Sequence, residues 1–239
     1  MTKLKEYPMG FHADSSIHWL RETAALRKGT QLAKYFVELA IDLEASPKIH
    51  VGKESGRLME EILWKEHAPA QAMFRTDQIQ VKLPFPKCWI EFEIKNGSIF
   101  ALLVKQITSE MIVGIAFEGV NAPSSEWMIH PCEFLAIVGS IAGRKRDEIR
   151  NLYKELDESV LNDYQNQAIV PCPVREGISA EEIRKTCTSM ELHFWALYLF
   201  LAACKLPEFN MVKKSENGGP SCFEFVQVKP MKNISKSPV

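Results

Sequence analysis

The chain has 239 residues, of which 46% are hydrophobic and 25% are charged, and its formal net charge at pH 7 is −1. These are the values of an ordinary globular protein that is long enough for one large domain or two small ones. The near-neutral charge argues against both a strongly basic nucleic-acid-binding protein and an acidic mimic of DNA, but it leaves room for a local basic patch.

The sequence also indicates a compartment. The first ten residues lack the hydrophobic region of a secretory signal, and the longest apolar run, residues 194–204, is shorter than the roughly 20 residues that a membrane span needs. The six cysteines are widely scattered and none forms a Cys-x-x-Cys pair, which is typical of free thiols in a reducing compartment. We therefore expect a cytoplasmic protein with no attachment to a membrane.

The first third of the chain is predicted to be mainly helical. Helical spacing of apolar residues, together with capping and breaking residues, predicts the elements. They are a helix capped by Asp14 and Ser15 and interrupted at Gly29, a second helix that runs to about Glu44, a short strand at 48–51, a helix at 58–67 and a strand at 79–83.

The run from Trp89 to Phe117 predicts a β-meander, and this is the strongest structural signal in the sequence. Asn96-Gly97 favours a type I′ turn. A two-residue turn there would pair Phe92 with Ala101 and would put the apolar residues of both strands on one face. A slip of one residue would exchange the faces, so the pattern predicts its own register.

The other face of this hairpin carries an apolar stripe formed by Trp89, Phe100, Leu102 and Val104. We expect helices to cover the stripe as core, since monomers rarely leave such a patch bare. A third strand follows at 112–117. Residues 127–138 are predicted to form one edge strand, a bulge or two strands meeting at a bend, because Pro131 lies inside them.

The last third is predicted to contain two helices and a hairpin. One helix begins near residue 144, and a capping box at Ser179 and Glu182 opens the other, a buried helix at about 180–204. A closing hairpin follows at 210–229. The predicted fold class is therefore α+β, with a mixed, mainly antiparallel sheet whose central meander covers about residues 79–138. We expect one domain over 1–229, with a hinge near 139–145 as the alternative, and a loose tail at 230–239.

One catalytic hypothesis comes from acidic residues near the central turn. Glu91, Glu93 and Lys95 form an E-x-K triplet at the end of a strand, and Asp77 precedes them. PD-(D/E)xK nucleases use such residues to hold Mg²⁺ and to position water. Alternating glutamates on a half-exposed strand and a lysine at a turn are also routine, so the nuclease is an alternative to a protein without a reactive centre.

Other sites have less support. His130 and Cys132 could give two metal ligands, whereas structural zinc needs four, so neither a metal site nor a cofactor is predicted. His193, on an apolar helix, is predicted to be a hydrogen-bonded core histidine. Arg144, Lys145 and Arg146 form the one basic cluster. They form the N-terminus of the helix predicted from about residue 144, where positive charge opposes the helix dipole, and they are the candidate contact surface for nucleic acid or an acidic partner.

The stretch from Leu83 to Phe92 resembles a loose group of uncharacterised bacteriophage and prophage proteins. These proteins carry an L-P-x-P-x-x-W-I-E-[FW] stretch, a following hairpin, a late apolar helix, here 191–204, and a closing strand, here 223–229. The likeness covers residues 80–140 and 185–229. The motif is structural and carries no assigned activity. The resemblance implies a phage origin, and hence a place in the cytoplasm of a host cell.

The sequence supports two function hypotheses. The first is a non-enzymatic factor that binds a host or phage macromolecule, most simply a protein, in anti-defence or host takeover. It depends on the near-neutral charge, the resemblance and the lack of catalytic sequence motifs. The second is the Mg²⁺-dependent nuclease, and a weaker third is contact with nucleic acid through the basic cluster.

Overall fold

The structure is a computed structural model. It describes residues 12–66, 82–93, 99–109, 111–119, 127–129, 132–137, 147, 149, 151, 169–173, 179–214 and 221–228. The elements in chain order are α1 Ala13–Leu26, α2 Gln31–Ala45, β1 Lys48–Val51, α3 Lys53–Glu66, β2 Lys87–Glu93, β3 Ile99–Thr108, β4 Met111–Gly119, β5 Trp127–Ile129, β6 Cys132–Ile137, β7 Ile169–Pro173, α4 Ala180–Ala203, β8 Phe209–Lys213 and β9 Cys222–Gln227.

The strands form one mixed sheet in the order β7-β6-β4-β3-β2-β1-β9-β8, with β5 paired to β4. Strands β2, β3 and β4 are the predicted antiparallel meander. Strand β1 is parallel to both of its neighbours, β2 and β9. The α+β class predicted from the sequence is confirmed. The hinge at 139–145 and the tail at 230–239 lie outside the described residues.

The two N-terminal helices form a hairpin that packs on one face of the sheet. Thr30 caps α2 by accepting a hydrogen bond from the Ala33 N–H at 3.1 Å, and Gly29 makes the turn with a φ of 87°. The start of α1 differs from the prediction, because neither Asp14 nor Ser15 is its cap. The helix begins at Ala13, and His12 is the N-cap residue.

The late helix α4 packs on the opposite face. The capping box predicted at Ser179 and Glu182 is present, with the Ser179 N–H donating to Glu182 Oε2 at 2.9 Å. From Ala196 to Leu201 the side chains of α4 are buried, and Phe200 contacts both Phe92 and Phe225. Within the ranges that the structure describes, no helix combines the length and hydrophobicity of a membrane span.

The register predicted for the central hairpin is wrong by one residue. Phe92 pairs with Phe100, and Glu91 pairs with Ala101. As a result Phe92 faces α4, whereas Ala101 faces α1 and α2. Helices cover both faces of the sheet here, so an apolar residue fits on either side and the alternation does not select a register. The turn itself, 94–98, lies outside the described residues.

The apolar stripe is core, as predicted, although its members do not share a face. Trp89, Phe100, Leu102 and Val104 are all buried. The indole of Trp89 lies under the N-terminal helices and contacts Phe117 edge-on. The other three side chains lie under α4. The stripe is therefore not a binding patch.

Three smaller predictions have mixed outcomes. The two-strand alternative for residues 127–138 is right. Strand β5 precedes residues 130–131, β6 follows them, and both strands pair with β4. Of the strand predicted at 79–83, the described part, 82–83, is not in a strand. Gln106 Oε1 instead accepts the Leu83 N–H at 2.9 Å. Helix α3 begins at Lys53, five residues before the predicted start.

Candidate functional site

The residues of the nuclease hypothesis do not come together in the described part of the chain. Asp77 and Lys95 lie outside it. Glu91 is completely buried and Glu93 is exposed. The Oε1 atom of Glu91 accepts hydrogen bonds from Trp89 Nε1 at 2.6 Å and from the His12 N–H at 2.7 Å. This oxygen therefore anchors the start of α1 to β2, which is a structural role.

Metal ligands are not gathered either. Among the described residues, no three histidine, cysteine, aspartate or glutamate side chains are arranged to hold a metal ion. His130 lies outside these residues. The basic cluster of Arg144, Lys145 and Arg146 also lies outside them, although Asp147 and Ile149 just after it are helical, as predicted.

The burial predicted for His193 is confirmed. Its side chain is 2% exposed, and its Nε2 lies 3.2 Å from Glu118 Oε1 on β4. The edge of its imidazole contacts the ring of Phe100. The residue therefore joins α4 to the sheet.

The most unusual buried group is Lys48, at the first position of β1. Its side chain is completely buried. The Nζ donates to the carbonyls of Leu43 at 2.6 Å, Glu44 at 3.0 Å and Ser46 at 2.7 Å. An ammonium has three N–H donors, and the last carbonyls of a helix lack intrahelical partners. Lys48 therefore caps the C-terminus of α2, where a positive charge also suits the helix dipole.

Burial lowers the pKa of Lys48 from 10.5 to about 8, while nearby acidic groups, including Asp14 and Glu91, act in the opposite direction. At neutral pH the amine keeps its proton, as three carbonyl acceptors require. Cys222 pairs with Lys48 on β9, and burial raises the pKa of its thiol. A thiol of this kind is a poor nucleophile, so the Lys48 environment is structural.

His50 lies two residues after Lys48 on β1, and its side chain is on the same face of the sheet as that of Lys48. Its Nδ1 is 3.8 Å from Glu91 Oε2, and its side chain is 12% exposed. A carboxylate beside a histidine can fix the orientation of the imidazole. Here, however, the other oxygen of the same carboxylate, Glu91 Oε1, already anchors α1 by accepting the His12 N–H. Lys48 and His50 were not singled out by sequence reasoning, because an alternating Lys-Ile-His-Val strand is typical of a half-exposed sheet.

The two edges of the sheet differ in chemistry. One edge strand, β7, contains Pro171 and Pro173, and prolines lack the N–H that an added strand would need. The other edge strand, β8, pairs with β9 and contains no proline. Beyond β8 the described residues supply no further strand. This edge is therefore open to strand pairing in a way that the β7 edge is not.

A surface that we call the edge strip adjoins the open edge. Its members are Val212, Lys213, Lys214, Val226 and Val228. Val212 and Val228 are 41% and 42% exposed. The three valines share the sheet face on which α1 and α2 lie, but the cluster of those helices reaches β2, β3 and β4 and does not extend to β8. Exposed apolar side chains thus lie beside a strand edge that no other strand among the described residues covers.

Comparisons with known proteins give no family. No protein-family model, curated protein or solved structure matches the chain.

Proposed function

We propose that this protein acts by binding a protein partner and that the edge strip is the contact surface. The observation that supports this proposal is the pair of exposed valines, Val212 and Val228, beside the open edge of β8. An exposed sheet edge offers a row of backbone donors and acceptors, and the recognition of extended segments by sheet edges is a common binding mode.

The buried polar residues favour this proposal over catalysis at the same sheet. Lys48 Nζ donates to three carbonyls at the C-terminal end of α2, and Glu91 Oε1 accepts from the His12 N–H and from Trp89 Nε1. These groups stabilise the end of α2 and the start of α1. The edge strip, by contrast, presents backbone N–H and carbonyl groups and exposed valine side chains to the outside.

On the resemblance of residues 83–92 to phage proteins, we further propose a setting. The partner is a host or phage macromolecule in the cytoplasm of a bacterial host, such as a component of defence or of transcription. The protein then acts by occupying its partner in anti-defence or host takeover.

The test compares affinity capture from a bacterial lysate by three forms of the protein. They are the wild type, the double variant Val212→Asp and Val228→Asp, and the control Val37→Asp and Ile41→Asp, which changes two exposed residues of α2. We expect one partner to be retained by the wild type and the control and to be lost from the edge-strip variant. Titration of the purified partner then gives the same order of affinities.

Two results would contradict the proposal. One is a partner that the edge-strip variant retains as well as the wild type does. The other is Mg²⁺-dependent cleavage of DNA or RNA that disappears on Glu93→Ala, because that result would restore the nuclease hypothesis.

A further inference from the structure

We infer that β8 receives an extended, acidic segment of the partner as an additional strand, and that the Asn210 side chain occupies this edge until the segment arrives. This inference rests on the proposed function and names the kind of partner that the edge strip binds.

The hydrogen bonds at the two ends of the β8–β9 pair fix the direction of the backbone groups. The Val228 N–H donates to the Glu208 carbonyl at 2.7 Å, and the Lys214 N–H donates to the Cys222 carbonyl at 2.8 Å. Peptide groups alternate in direction along a strand. Residues 208, 210, 212 and 214 therefore bond toward β9, and the N–H and carbonyl groups of Phe209, Met211 and Lys213 point toward the open edge.

Two of the three outward N–H groups are already bonded within the chain. The Phe209 N–H donates to the Leu206 carbonyl at 3.2 Å in the turn before the strand. The Met211 N–H, at the centre of β8, donates to Asn210 Oδ1 at 2.8 Å. A side-chain amide thus takes the position that the carbonyl of an added strand would take. It can swing away, because Asn210 is exposed.

The charges at this edge select the occupant. Lys213 and Lys214 are exposed at the end of β8, and Glu224 neutralises one of them, since Lys214 Nζ lies 2.7 Å from its Oε2. Lysines on an edge strand oppose edge-to-edge pairing with a second copy of the same chain. Lys213, which Glu224 does not neutralise, attracts an acidic segment, and the exposed valines favour apolar residues at alternate positions on that segment.

The experiment uses a fluorescein-labelled ten-residue peptide that alternates valine with glutamate, and it measures binding by fluorescence anisotropy. Asn210→Ala should bind the peptide about two- to tenfold more tightly than the wild type, because one hydrogen bond no longer has to be broken. Met211→Pro should abolish binding, since proline lacks the outward N–H, and sheets tolerate proline at such edge positions. Ile41→Ala, on α2, is the matched control and should leave the affinity unchanged.

Two further peptides make the test independent of protein folding. A peptide that is N-methylated at alternate residues cannot form the strand ladder, and a peptide with lysine in place of glutamate reverses the charge. We expect neither to bind. The inference is overturned if the N-methylated peptide binds as well as the parent, if Asn210→Ala leaves the affinity unchanged, or if the parent peptide binds to no variant.

The outcomes separate this inference from the proposed function. Partner capture that depends on Val212 and Val228, but not on Asn210 or Met211, keeps the function and rejects strand addition. Peptide binding that responds to Asn210→Ala and Met211→Pro, without any partner that depends on the edge strip, keeps strand addition and rejects the function.

Discussion

At the scale of single residues, Lys48 does more for stability than its position on a short strand suggests. Its ammonium group donates to three carbonyls at the end of α2, and among these the Leu43 carbonyl also accepts the Ser46 N–H at 3.3 Å. Replacing Lys48 with Met keeps the apolar stem and removes all three hydrogen bonds. We expect Lys48→Met to lower the free energy of unfolding by about 2–4 kcal/mol, because buried carbonyls left without donors are costly.

Urea unfolding measures this loss, and Lys34→Met is the matched control, since Lys34 lies on the exposed side of the same helix. The control should change the free energy of unfolding by less than about 0.5 kcal/mol. Equal stability of the two variants would show that the Lys48 ammonium contributes nothing to the end of α2.

The lowered pKa of Lys48 also predicts a pH dependence. The folded protein releases the Lys48 proton above about pH 8, whereas the unfolded chain holds it up to about 10.5. The unfolded state therefore binds more protons in this interval, so the contribution of Lys48 to stability rises with pH. The difference in unfolding free energy between the wild type and Lys48→Met should be larger at pH 9.5 than at pH 7.5. A difference that falls over this range would give the shift the opposite sign.

How far single residues could be predicted from the sequence depends on where their partners lie. The capping box of Ser179 and Glu182 is local, three residues apart, and it was predicted correctly. One partner of Glu91 is the His12 N–H, 79 residues away. No local pattern reports such a contact, so sequence reasoning assigned Glu91 to an alternative metal site instead of to the start of a helix.

At the scale of elements, the attachment of α1 to the sheet can be tested through that same contact. We expect Glu91→Ala to speed hydrogen exchange of the amides in the first turns of α1, because the start of the helix loses its acceptor on β2. Glu91→Gln keeps an acceptor oxygen of the same reach and should exchange more slowly than Glu91→Ala. Identical exchange in the wild type and Glu91→Ala would contradict the anchoring role.

Two glycines provide a matched pair for packing. A Cβ at Gly114 on β4 would overlap the ring of Phe134 and the side chain of Val104, whereas a Cβ at Gly56 on α3 would meet nothing within 4 Å. We expect Gly114→Ala to lower the free energy of unfolding by about 1–3 kcal/mol through overpacking. Gly56→Ala should raise it by up to about 1 kcal/mol, because alanine is the better helix former. In thermal unfolding, we expect the midpoint temperature to fall for Gly114→Ala and to rise for Gly56→Ala.

The central hairpin illustrates what alternation can and cannot predict. The existence of β2, β3 and β4 followed from their composition, because β-branched and aromatic residues are enriched in strands. The register did not follow, because Phe100 and Ala101 are equally suited to a buried face. If one face of these strands were exposed to solvent, a slip of one residue would have moved buried apolar side chains into water. This sheet has helices on both sides, so the slip has no such cost.

At the scale of the whole molecule, the α+β class could be predicted because length and periodicity restrict the architecture. The position of each strand in the sheet could not be predicted. The closing hairpin was expected at 210–229, but nothing local indicates that β9 pairs with β1 or that β8 forms an edge. The candidate site depends on that placement, so it was not found from the sequence.

The fold also shields three thiols in the described part of the chain. Burial raises the pKa of Cys204 to about 12 and raises the pKa values of Cys88 and Cys222 as well. We expect these three residues to resist iodoacetamide at pH 8 in the native protein and to react readily in urea, since the thiolate is the reactive form. Mass spectrometry after a short pulse of reagent reads out each cysteine. Rapid native labelling at Cys88 would contradict its burial.

The pairing of β1 bears on how the chain is made. Its two neighbours, β2 and β9, come from residues 87–93 and 222–227. During translation, β1 can therefore acquire β2 early, but its other side stays bare until residue 227 has left the ribosome, many seconds later at roughly 5–20 residues per second. Over that interval the nascent polypeptide exposes the unpaired side of β1 to other chains. This protein should therefore depend on chaperones during synthesis more than its finished form suggests.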